Sequence, residues 1–116
     1  MTPADAGVAP TIEPLIGRFV RALESRDLDR IKRIDAEADG TDRWWKFISG
    51  PDVAELRAES RILSGPDVQG DEGSAVVEVT FRYRSGGADA ARPWPMRITF
   101  GRDADGWRIR TVRTLQ

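Results

Sequence analysis

An α+β fold is predicted for this chain, with N-terminal helices packed on one face of a curved four-stranded antiparallel meander sheet to form a cone. Two observations carry that expectation. Apolar residues recur with a period of 3.6 from Thr11 to about Pro51, and with a period of 2 from there onward. Three turn-rich stretches, "GPDVQGDEG", "SGGADAARP" and "DADG", then cut the second half into four strands joined as consecutive hairpins. With 116 residues, 40% of them apolar, the chain suffices for one core and hence one domain.

"MTPADAGVAP" is small, proline-containing and aperiodic, so residues 1–10 are expected to form a disordered leader or linker and residues 11–116 the domain. In the first helix Ile12, Leu15, Ile16, Phe19, Val20 and Leu23 form one narrow stripe, with Thr11 as its N-cap. "SRD" interrupts that stripe. Asp27 then caps a short helix through Leu28, Ile31 and Ile34. A third short helix, capped by Thr41 or Asp39, carries "RWWKFI" and stops at Gly50-Pro51. Trp44, Phe47 and Ile48 share a face there; Trp45, about 100° away, falls at the rim of that contact.

The strands follow by alternation. Leu56, Ala58, Ser60 and Ile62 share a face, as do Ala75, Val77, Val79, Phe81 and Tyr83, and then Trp94, Met96, Ile98 and Phe100. In the last strand Trp107, Ile109, Thr111, Arg113 and Leu115 take the inner side. Read as a tight turn, "DADG" sets Arg102 opposite Trp107, Phe100 opposite Ile109, Ile98 opposite Thr111 and Met96 opposite Arg113. Face parity pairs Tyr83 with Trp94 and Phe81 with Met96. The inner face is therefore expected to be aromatic, with Arg113 as its single cation.

Composition excludes several chemistries. Lys and Arg number 18 against 19 Asp and Glu, so no net basic footprint for nucleic acid is present. Neither cysteine nor histidine occurs, which removes thiolate and imidazole nucleophiles, bases and metal ligands together. No metal, cofactor or membrane partner is expected. A secretory signal is not apparent, and a cytoplasmic location, or a place within a longer protein, follows as the expectation.

The segments "IGRFVRALESRDLDRIKRI", "SAVVEVTFRYR" and "GRDADGWRIRTVR" resemble the nuclear transport factor 2-like superfamily, whose relatives include ketosteroid isomerases, polyketide cyclases and scytalone dehydratases. The pattern "RFVRALESRDLDRIKRI…RWWKFI…VAEL" is also similar to bacterial accessory domains of that fold found beside signalling modules. The resemblance implies an apolar chamber between helices and sheet, suited to a small hydrophobic molecule. Phe19, Trp45, Phe81, Tyr83, Trp94, Met96 and Arg113 are its candidate ligand-binding residues, with Tyr83, Trp94 and Arg113 as the polar and aromatic corner. Isomerases of the superfamily combine a carboxylate base with a tyrosine. Tyr83 with an acid from the helix connections (Asp35, Glu37, Asp39, Asp42) is therefore the alternative, enzymatic reading, while solvated caps are the ordinary explanation of those acids. No catalytic residue is assigned. A third reading is an interaction domain whose chamber is filled by aromatic side chains. The Arg-rich outer sheet face, with Arg57, Arg61, Arg82, Arg84, Arg97, Arg108 and Arg110 among Glu55, Glu59 and Glu78, or the Trp45 rim would then meet a partner or a second copy in a homodimer.

Overall fold

The computed structural model describes residues 3–115 except Asp39, and the side chains from Ile12 onward. Three helices, α1 (Pro3–Ser25), α2 (Leu28–Lys32) and α3 (Arg43–Ile48), precede β1 (Ala54–Gln69), β2 (Glu72–Ser85), β3 (Ala88–Asp103) and β4 (Gly106–Thr114). The sheet is an antiparallel meander in the order β1-β2-β3-β4, with α1 against β1 and β4. Ile12, Ile16, Phe19, Val20 and Leu23 of α1 are buried against Ala75, Val77, Val79, Phe81, Met96, Ile98 and Phe100 of the sheet. The two periodicities read from the sequence thus meet in one core.

Helix α1 begins at Pro3, within the segment expected as a leader, so Thr11 lies inside a helix rather than capping it. Alanine-rich composition favours helix, and a proline is tolerated at a first helical position. Position 39, offered as a cap for α3, lies outside the described residues; the N-cap is Asp42. Asp27 caps α2 as expected, its carboxylate accepting from the amides of Asp29 and Arg30. Between α1 and α2 the chain passes through Arg26 at φ +53°, a left-handed conformation that glycine usually takes. The arginine is explained by its guanidinium, which donates to the carbonyls of Val53 (2.6 Å) and Gly50 (3.0 Å) and ties the α1–α2 break to the α3–β1 loop.

Turn chemistry corrects the expected register. The "SGGADAARP" stretch is mostly strand: Gly86 and Gly87, at φ +59° and +82°, make a two-residue turn of the I′ kind, and Ser85 pairs with Ala88. Tyr83 therefore opposes Ala90, Phe81 opposes Arg92, Val79 opposes Trp94 and Val77 opposes Met96. The shift from the expected pairing is four residues, an even number, so every β2 and β3 side chain keeps its face. In "GPDVQGDEG", β1 likewise continues to Gln69, with register shifts between Ile62 and Ser64 and between Ser64 and Asp67. Bulges in an edge strand accommodate the glycine and proline that suggested a loop.

The β3–β4 shift is odd and has the larger effect. Arg102 pairs with Trp107 and Phe100 with Ile109, as expected. Arg110 is then an extra residue, and Thr99 pairs with Thr111, Ile98 with Val112, Arg97 with Arg113 and Met96 with Thr114. A one-residue bulge exchanges the faces of everything beyond it. Val112 is buried and Arg113 is outside, with its side chain 72% exposed and Glu37 at 3.9 Å. The expectation of an inward Arg113 is overturned.

Candidate functional site

The aromatic residues converge on α3. Trp44 turns into the core and meets Phe19 edge to face at 6.2 Å. One turn later Phe47 reaches the open end of the sheet, with ring centroids 5.7 Å from Phe81, 5.3 Å from Tyr83 and 5.7 Å from Trp94, the last nearly parallel at 28°. Phe81 and Trp94 complete the group at 6.2 Å. The buried Trp94 ring directs its Nε1–H to Thr114 Oγ1 at 2.9 Å, so its polar end is satisfied.

The cation of this corner is Arg92. Opposite Phe81 on the inner face, its guanidinium carbon lies 4.9 Å from the Phe47 ring and 4.7 Å from the Trp94 ring. Contacts of this kind contribute about 0.5–1 kcal/mol each at an exposed site. Arg92 thus closes the aromatic cluster towards solvent. Among the described residues no carboxylate pairs with it.

Asp35 is the one buried charged residue among those described, at 2% exposure. Its Oδ1 accepts from the Glu37 amide at 3.2 Å. Burial pushes its carboxyl up from 3.8 to about 6; the Glu37 hydrogen bond and Arg113 oppose that rise, and Asp42 and Glu37 add to it. This corrects the ordinary reading of the helix-connection acids at one position: Asp35 is not a solvated cap. Its electrostatic neighbours are Glu37, Asp42 and Arg113, whereas the Tyr83 ring contacts Phe47.

Comparison with known proteins bears on the architecture. No family model and no curated protein matches the sequence. Solved structures do match. A protein of Streptomyces avermitilis, provisionally named a dehydratase of the NTF2-like family, aligns with TM-score 0.68 at 10% identity over 95% of this chain and 96% of its own. A provisionally named scytalone dehydratase from Novosphingobium aromaticivorans aligns with TM-score 0.68 at 16% identity, over 100% of this chain and 89% of its own. A provisionally named calcium/calmodulin-dependent protein kinase type II association domain from Thiobacillus denitrificans aligns with TM-score 0.65 at 20% identity, over 90% and 94%. The chain has the nuclear transport factor 2-like fold.

Within this nuclear transport factor 2-like fold the seven candidate ligand-binding residues separate. Phe81, Tyr83 and Trp94 come together around Phe47. Phe19 and Met96 are fully buried in the core, Trp45 packs half-buried at its edge, and Arg113 faces away. Two surface concavities, about 870 and 880 Å³, touch this group only at Tyr83. One is bordered by Asp67, Asp71, Arg102 and Arg110, the other by Glu55, Arg57, Tyr83 and Asp89. Phe47 and Arg92 were missing from the sequence-based site. Reading Gly86-Gly87 as a tight turn would have put Arg92 on the inner face two residues from Trp94. No comparable signal marks Asp35.

Proposed function

We propose that this domain is an accessory association module that acts through its surface. The observation that carries the reading is the filled interior: Phe19, Trp44, Phe81, Met96 and Phe100 are each at most 1% exposed, and Phe47 with Arg92 covers the open end. Two structural neighbours bear the name of a calcium/calmodulin-dependent protein kinase II association domain, which agrees with such a role. The outer sheet face is the contacting surface in this reading. Native mass spectrometry of the purified chain tests it. The expected result is the bare protein mass; a co-purified apolar molecule released on denaturation would restore the ligand chamber.

A second reading rests on Arg92, whose guanidinium is held against two rings with no described acid beside it. A carboxylate attached to a flat apolar group would fit that corner. Phenylacetate quenching tryptophan emission in the native chain but not in Arg92→Leu, with phenylacetamide inert, would establish it. No saturable quenching by phenylacetate would remove it.

A further inference from the structure

The β3–β4 half of the outer face carries three arginines, Arg97, Arg110 and Arg113, that the fold neutralises only in part. Arg97 and Arg113 are direct cross-strand partners, an arrangement that is unfavourable without an intervening anion. The next outer rung is Thr99 and Thr111, their hydroxyls hydrogen-bonded at 2.5 Å. Beyond it Arg110, the bulged residue, lies over Gly101; a Cβ at that glycine would collide with the Arg110 guanidinium. Elsewhere on the sheet five arginines have acids, Arg61 with Glu78, Arg82 with Glu59, Arg84 with Glu55 and Asp89, Arg102 with Asp71 and Arg108 with Asp103, whereas Arg57 on β1 and Arg92 on the inner face have none among the described residues. Among the described residues no acid is within ion-pair distance of Arg97 or Arg110, although Asp67, Asp71 and Glu72 border the same concavity as Arg110; Arg113 meets Glu37 at 3.9 Å and lies near Asp35.

Building on the surface-acting role, we propose that this half of the outer face docks an acidic, extended polypeptide segment of a partner protein. Four residues along β3 separate Arg97 from Gly101, about 13 Å, which an extended segment covers with carboxylates at alternate positions. The threonine pair between them offers hydroxyls to the same segment. Charge complementarity selects this occupant over two others. A nucleic-acid backbone needs a longer basic track, and the flanking Glu59, Glu78, Asp71 and Asp103 interrupt one here. A second copy would present the same face, whose acids are already paired with their own arginines.

Fluorescein-labelled hexaglutamate, titrated into the full chain and followed by anisotropy at low and physiological salt, is the test. Saturable, salt-sensitive binding is expected, weakened about tenfold or more by Arg97→Ser and by Arg113→Ser, as loss of a charge-assisted contact implies. The paired controls Arg61→Ser and Arg82→Ser should change it less than about twofold, as expected of exposed ion pairs. Amide shifts in the native chain, concentrated at Arg97, Thr99, Thr111 and Arg113, give the same answer without a variant. Absent saturation, an equal loss in all four variants, or tighter binding of oligothymidylate on the same arginines overturns the proposal. So does a dimer that Arg97→Ser dissociates while hexaglutamate does not bind. An apolar adduct in native mass spectrometry would refute the filled-interior reading and leave this titration unaffected.

Discussion

Protonation of the Asp35 carboxyl links stability to pH at a single residue. Its folded value, about 6, lies above the ordinary 3.8, so the folded chain holds a proton that the unfolded chain has released. The contribution is fully present below pH 4 and is lost as pH rises through about 6; at roughly 1.4 kcal/mol per tenfold the gap amounts to about 3 kcal/mol. Asp35→Asn should therefore gain stability over the native chain at pH 8, by about 1–3 kcal/mol, and show no gain at pH 3.5 in urea titrations. An equal difference at both pH values would mean that Arg113 already neutralises the carboxylate. Gly101 makes a second residue-scale case, because its missing Cβ leaves the space that Arg110 occupies. Gly101→Ala should displace that exposed side chain, lowering hexaglutamate affinity while shifting the melting temperature by only a few degrees.

At the scale of elements, α3 is short but joins both halves of the fold. Trp44 anchors it to α1 through Phe19, and Phe47 anchors it to β2 and β3. Six residues do not make a stable helix in isolation, so these rings, with the Arg26 clamp on Gly50 and Val53, hold it in place. Phe47→Ala should cost about 2–3 kcal/mol, below the range for a fully buried ring because Phe47 is half-buried. Trp94 emission should shift to the red in the same variant; an unshifted spectrum would mean that Arg92 alone covers the ring. The elements themselves were legible in the sequence. Periodicity identifies three helices and four strands, and it assigns faces correctly on β2 and β3 because misreading the Gly86-Gly87 turn moved the register by an even step. On β4 it fails from Thr111 onward, past the bulged Arg110. A bulge leaves no mark on a strand whose two faces, Thr111 with Arg113 and Val112 with Thr114, look alike in polarity. Of this corner Phe81, Tyr83 and Trp94 were legible; Phe47 was read as core, Arg92 was lost with the stretch around Gly86-Gly87 taken for a loop, and Arg113 stood in its place only through the odd step on β4.

The molecule as a whole has two sheet edges, and each is guarded differently. Along β1 the Glu24 carboxylate of α1 accepts from the Ala58 amide at 2.9 Å, covering one edge donor. On the other side β4 reaches only as far as Leu115, whose amide bonds to the Pro95 carbonyl, so β3 from Ala88 to Trp94 extends past it. Pro95 directs its carbonyl to the β4 side, and Pro93, two residues back, points the same way with no N–H to offer. Prolines there deny an incoming strand its donors. Pro93→Val should raise concentration-dependent association in sedimentation velocity without changing the monomer's circular dichroism. Unchanged sedimentation would mean that the hairpin's twist already protects this edge.

The bulge at Arg110 also bears on how such a domain can change over evolutionary time. Deleting that one codon would restore strict alternation along β4 and still leave Thr99 opposite Thr111, Ile98 opposite Val112 and Arg97 opposite Arg113, so Val112 would stay buried and Arg113 outside. The extra residue is thus absorbed locally: the bulge takes up its own length, and the residues beyond it keep their faces. A strand of this fold can therefore gain or lose one residue at such a point, changing the charge it displays outside while its core side remains as it was.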